Sequence, residues 1–269
     1  MTKMAVVAIA LALGCAAPGC LAQEKLTIPL SSPGQPVTIK ASFVNGGVTV
    51  TAGSGPQVTV TQQGGARREH ENPPDAPPGM HRIDAGRAGL DIEEDHNVVT
   101  IRARGWNGNG NLVIETPVNT SLQIKTVNGG HIDVTGINGD LDLQETNGSI
   151  TLKNVSGSVV AHSLNGAITA ALDQVSPDKP MSFTSLNGKI DVTLPAATKA
   201  RLRLKTDNGS IYTDFDVKLE PTAPAVEDSR RDGGKYRIRL DRTMYGTING
   251  GGPEYLFQTM NGSILIHKK

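Results

Sequence analysis

The chain has 269 residues, a formal charge of zero, 31 glycines and only 3% aromatic side chains. A neutral chain has no basic footprint for nucleic acid or an anionic membrane surface, so neither is expected as a partner. Its length suits one extended domain with a sizeable core.

The first stretch reads MTKMAVVAIALALGCAAPGCLAQEK. Lys3 makes a thin basic start, Ala5 to Leu13 are apolar, and Cys20-Leu21-Ala22 sets small residues at a cleavage point. This is the pattern of a secretory signal peptide over residues 1–22, cleaved after Ala22. The apolar run falls short of the roughly 20 residues that a membrane span needs. No later segment is long and apolar enough, so no transmembrane span is expected in the mature chain. Both cysteines, Cys15 and Cys20, lie in this leader, so the mature chain carries no disulfide framework. Lipid attachment at one of them is the alternative reading, giving an anchored form.

Residues 23–269 read as a single β-domain. Residues 23–65 carry strand signals such as Val48-Thr49-Val50 and Val58-Thr59-Val60. Residues 64–97 are Pro-rich and charged and predict a long polar loop. Strand signals resume over 98–117, broken by GWNGNGN. A second polar loop is predicted over 220–235.

Between these loops runs an internal repeat. Asn-Gly or Ser-Gly corners stand at Asn128, Asn138, Asn147, Ser156 and Asn165, nine or ten residues apart, then at Asn187 and Asn208. Asn45, Asn249 and Asn261 mark further corners. Apolar residues sit six, four and one before most of them, as in Leu122, Ile124 and Val127 before Asn128. The polar residues between alternate with them, which is strand periodicity. No stretch shows a helical period.

Two all-β architectures fit. Asn-Gly between alternating runs is the strongest local signal for a tight hairpin, which would build an antiparallel meander or sandwich. The alternative is a parallel β-solenoid, in which each corner turns the chain into the next side of a coil. No amphipathic helix exists to cover a meander's apolar face, whereas a coil closes that face on itself. Stacked corner Asn side chains could also share amide hydrogen bonds. The solenoid is the favoured expectation.

The stretches NLVIETPVNTSLQIKTVNGGHIDVTGINGDLDLQETNGSITLKNVSGSVVAHSLNGAI and GTINGGGPEYLFQTMNGSILI resemble the bacterial putative-adhesin family of β-strand repeats, a domain of unknown function similar to autotransporter adhesin heads. The resemblance covers about residues 110–266 well and 36–65 loosely. It implies a parallel β-solenoid in the bacterial envelope or outside the cell. It implies no established activity, and the loop at 64–97 departs from its pattern.

Chemistry is sparse. The histidines are His70, His81, His96, His131, His162 and His267, and none has a metal-ligand spacing. Asp140 and Asp142 could share one strand face as a weak calcium site. No nucleophile elbow appears, and no phosphate-cradling Gly loop leads into a helix. Asp133, Asp142 and Asp191, with Lys125, Lys153, Arg201 and Arg203, occupy outward strand positions, the chemistry that a polysaccharide-cleaving β-helix would use. Trp106, the only tryptophan, could stack on a sugar. No catalytic, cofactor or metal residue is assigned. The expectation is a non-enzymatic exported protein offering a structural or binding surface to an envelope protein or glycan, in the periplasm, on the outer membrane or outside the cell. The alternatives are a polysaccharide-cleaving enzyme and a periplasmic partner of a signalling protein.

Overall fold

The computed structural model describes residues 25–63, 89–104, 111–221, 225–228, 236–239 and 243–269. The leader with its cysteines, the bulk of the first loop, His70, His81 and Trp106 lie outside these. The described residues are all-β. From the N-terminus the strands are β1 (Lys25–Pro29), β2 (Val37–Asn45), β3 (Val48–Ala52), β4 (Gln57–Gln63), β5 (Gly89–Asp95), β6 (Val98–Arg104) and β7 (Asn111–Thr116). The central run is β8 (Thr120–Asn128), β9 (Gly130–Thr135), β10 (Asn138–Glu145), β11 (Gly148–Ser163), β12 (Ile168–Val175), β13 (Met181–Asn187) and β14 (Ile190–Leu194). The last are β15 (Ala200–Asn208), β16 (Ile211–Thr213), β17 (Lys218–Glu220), β18 (Ala225–Asp228), β19 (Tyr236–Arg239), β20 (Met244–Ile248), β21 (Glu254–Asn261) and β22 (Ile264–Lys268).

Strands on either side of an Asn-Gly corner do not pair with each other, so the corners are not hairpins. Each pairs in parallel with its counterpart in the next repeat: Leu141 lies opposite Leu122, Val159 opposite Leu141, and Ile150 opposite Ile132. One stack runs β5, β6, β2, β8, β10, the second half of β11, β13, β21, β15, β20, β17. The other runs β1, β4, β7, β3, β9, the first half of β11, β12, β14, β22, β16. The pairing is therefore mixed. It is parallel through the middle and antiparallel at the ends, where β5, β4 and β1 close one end and β20 and β17 close one side of the other. The first stack's outermost strand, β5, carries Asp91, Glu93, Glu94 and Asp95, charges that discourage edge-to-edge pairing.

Alternation builds the core between the stacks. Six and four residues before each corner, Ile39 and Ala41, Leu122 and Ile124, Leu141 and Leu143, Val159 and Ala161, and Tyr255 and Phe257 are buried in register. Phe183 stacks on Phe257 with ring centroids 5.2 Å apart. Full burial of such side chains stabilises by about 1.5–3 kcal/mol each. The third apolar position differs. A strand of period two must turn the residue one before the corner outward if those six and four before face inward. Accordingly Val44, Val127, Leu164, Leu186 and Met260 are exposed. Ile137 and Val155 are buried because Gly136 and Asn154, both at positive φ, shift the phase by one residue.

Three sequence expectations need correction, the first being parallel pairing throughout, which fails at both ends. The polar loop over 64–97 ends early, because Gly89–Asp95 pairs with β6 through a turn at His96 and Asn97, both with positive φ. The loop over 220–235 contains β18, which forms a separate hairpin with β19. Repeats also do not stack in strict chain order: the C-terminal pair β21 and β22 slots between β13–β14 and β15–β16.

Candidate functional site

Asn side chains line up along one corner of the stack. Each donates its amide N–H to the carboxamide oxygen of the next. Asn128 donates to Asn45 at 3.3 Å, Asn147 to Asn128 and Asn165 to Asn147 at 2.9 Å each, Asn187 to Asn165 at 2.8 Å, Asn261 to Asn187 at 2.7 Å, and Asn208 to Asn261 at 2.8 Å. The other sequence-marked corners lie elsewhere. Asn138 donates to Asn119 at 3.2 Å and sits opposite Ser156, inside the unbroken strand β11. Asn249, at positive φ, donates to the carbonyls of Ala196 and Thr198 at 2.9 and 2.7 Å.

A second row lies just inside, two residues before each corner Asn. Ser163, Ser185 and Thr259 donate their hydroxyls to the carbonyls of Gly148, Gly166 and Gly188, and Thr206 to Gly262, at 2.9–3.0 Å. Sequence reading missed this row, although a Ser or Thr stands two before most corners. The glycines explain the Asn-Gly pairing. A Cβ on Gly166 would sit 1.9 Å from the Gly148 carbonyl oxygen, so the coils stack only with glycine there.

Glu145 breaks the inner row. Its carboxyl is buried, and Oε1 accepts the N–H groups of Gly129 at 3.3 Å and Asn147 at 3.2 Å. Oε2 and the neighbouring Thr126 hydroxyl have no partner. Burial raises the Glu145 pKa, against the opposing pull of those N–H groups and His131. Tyr255 also carries a buried, unpartnered hydroxyl, and burial raises its pKa.

The outer faces carry the charged residues that the sequence singled out. On the face of the second stack, Asp133 and Asp191 share a row, separated by Thr151 and Thr169. Three strand spacings put them roughly 14 Å apart, too far for a glycosidic acid–base pair. Asp142 belongs to the other face, with Lys125, Arg201 and Arg203; Lys153 lies with the two aspartates. Asp133 lies 4.0 Å from His131, and Asp191 is 3.2 Å from Lys189 and 3.6 Å from His267. His162 bonds the Thr184 hydroxyl at 2.8 Å. Asp140, proposed beside Asp142 for calcium, instead holds the Lys179 ammonium with both oxygens at 2.8 Å and accepts the Ser158 hydroxyl. These bonds hold its pKa below the usual value. Among the described residues no group of three or more metal-ligating side chains forms, and no helix is long and apolar enough to cross a membrane.

The sequence profile described as Toastrack DUF4097 matches residues 107–249, just over half of the chain. No curated protein matches. Among solved structures, a putative cell adhesion protein from Clostridium sporogenes is similar at 10% identity, covering 92% of this chain and 100% of its own, with a TM-score of 0.42. A putative adhesin from Bacteroides fragilis aligns at 8% identity over 93% and 98%, with a TM-score of 0.24. Another from Parabacteroides merdae aligns at 12% identity over 94% and 97%, with a TM-score of 0.27.

Proposed function

The chain belongs to the Toastrack DUF4097 family, a domain of unknown function, and from that premise we propose that it is a non-enzymatic β-solenoid, exported to the bacterial envelope or beyond, that serves as a rigid adhesin-like binding surface. The observation that carries this reading is the row of corner Asn side chains joined from Asn45 to Asn208. Such a ladder holds successive coils in fixed register. On the outer faces residues then recur at the strand spacing of about 4.8 Å. Regular rows of this kind bind extended partners through many weak contacts, and the outward carboxylates are dispersed rather than convergent.

The test is in-cell cross-linking of the full-length chain, followed by identification of what is captured. Reproducible capture of an envelope protein or glycan is the expected result. Capture of nothing above a scrambled control would overturn the reading. Release of unsaturated sugars from an envelope glycan would replace it with the polysaccharide-cleaving one.

A further inference from the structure

On the outer face of the first stack, three adjacent parallel strands bring three cations to one place. Lys40 on β2 lies opposite Thr100 on β6 and Gln123 on β8. Two residues on, Ser42 lies opposite Arg102 and Lys125. Lys40, Arg102 and Lys125 therefore surround the exposed Ser42, with the Thr100 hydroxyl and the Gln123 amide as further donors. These residues line a shallow depression of about 180 Å³, floored by the strands at Ala41 and Ile101.

The charges there are available. Among the described residues no carboxylate pairs with Lys40 or Lys125. Arg102 lies opposite Asp91 across the β5–β6 pair and meets Glu93 at 3.7 Å, with the Arg102 and Glu93 side chains largely exposed. An exposed pair of that length is worth little, so a better anion displaces it.

The patch is also bounded. Reading across the strands, Glu93 lies beside Thr100, then Lys40, Gln123 and Asp142. A carboxylate thus stands two strands away on each side of Lys40, about 10 Å. A densely charged polymer would meet Glu93 and Asp142 and be repelled. One oxyanion group on an otherwise uncharged ligand would not.

We infer that Lys40, Arg102, Lys125 and Ser42 form a binding site for a single oxyanion group, a sulfate, phosphate or carboxylate borne by a glycan of the partner. This rests on the reading of the chain as a binding surface and gives that surface a ligand chemistry. Arg102 supplies a planar fork and the two ammonium groups supply point charges, which suits an oxyanion approached from the open face.

The experiment titrates the purified chain with sodium sulfate, sodium phosphate and glucuronate separately, following backbone amide shifts by NMR. Saturable shifts confined to Lys40, Ser42, Thr100, Arg102, Gln123 and Lys125 are expected, and the three probes tell which oxyanion fits best. Lys125→Gln should weaken binding about tenfold, the loss expected for one charge-assisted contact. Lys153→Gln, on the opposite face, should leave it unchanged. Affinity should fall with salt as for about one contact. Shifts that do not saturate, or binding indifferent to Lys125→Gln, would overturn the site. A steep salt slope with a dense polyanion would do the same. In the cross-linking experiment, a Lys40→Gln/Lys125→Gln chain should lose its captured glycan. Undiminished capture by that variant would overturn the site's role while leaving the binding reading intact.

Discussion

Glu145 accepts the backbone N–H of Gly129 at 3.3 Å, across the corner where the chain carries one residue more than its neighbours. The strand after Asn147 begins Gly148-Ser149-Ile150. After Asn128 the chain reads Gly129-Gly130-His131-Ile132, and Gly148 pairs with Gly130. The extra glycine makes room for a carboxyl where other coils hold a hydroxyl. Oε1 takes two N–H groups. Oε2 has no partner, and with Thr126 Oγ1 and the Gly46 carbonyl oxygen it fills the space that a Cβ on Gly129 would need.

A pH dependence follows. Burial raises the folded pKa of Glu145 above its ordinary 4.5. The folded chain therefore binds this proton more tightly than the unfolded one. The associated stability is fully present below about the ordinary value and is lost as pH rises through the folded pKa. Glu145→Gln keeps the carbonyl and offers an N–H to the same neighbours without a charge. The variant should match the parent at acid pH and exceed it by about 1 kcal/mol at pH 8. Urea unfolding of both at several pH values measures this. A difference that stays constant with pH would show that Glu145 does not titrate in this way.

Glycine at the corners acts through space more than through backbone angle. Gly166→Ala would drive a methyl into the Gly148 carbonyl, and both partners are backbone. Gly130, at φ +76, has nothing within 4 Å of a Cβ. Gly130→Ala should therefore cost about 1 kcal/mol of backbone strain. Gly166→Ala should cost several times more, because overpacking here separates whole coils. Thermal melting of the two variants compares them, and equal losses would refute the stacking argument.

The contrast between inner and outer positions is equally sharp. Leu143 is fully buried, whereas Lys153 is exposed on its strand. Leu143→Asp would place a carboxylate in the core without a partner, so it should unfold the central coils. Lys153→Ala should change stability by no more than about 0.5 kcal/mol. Circular dichroism melts of the pair would check both, and a folded Leu143→Asp would contradict the inward placement.

Much of this was legible because a strand's alternation is local. Leu122, Ile124, Leu141 and Leu143 announce their inward faces with no knowledge of their partners. The Asn-Gly corners were equally plain, but their local signal fits two architectures. They suggest hairpins by positive φ, whereas Gly166 and its equivalents are needed for close approach between coils. Val127 and Leu164 share the apolar character of the repeat, yet phase turns them outward. Lys40 and Arg102 come together only through the pairing of β2 with β6, across more than fifty residues that include the Pro-rich polar stretch. Glu145 resembles any polar strand residue until the inner row of hydroxyls is seen beside it.

The order of the coils was the least legible feature, and it makes the last prediction. A C-terminal segment usually frays, because nothing covers its outer side. Here Phe257 pairs with Phe183 on one flank and Leu204 on the other, and Ile264 lies between Ile190 and Ile211. The Asn ladder also passes through Asn261, between Asn187 and Asn208. The last strands are thus enclosed, and opening them requires parting the stack. Hydrogen exchange at Phe257 and Ile264 should be as slow as at Leu143 in the middle coils. Exchange orders of magnitude faster than at Leu143 would mean that β21 and β22 do not occupy the interior of the stack. Removal of residues after Pro253 should likewise destabilise the 181–213 region well beyond the loss of a terminal repeat, since it leaves β13 and β15 without the strand that joins them.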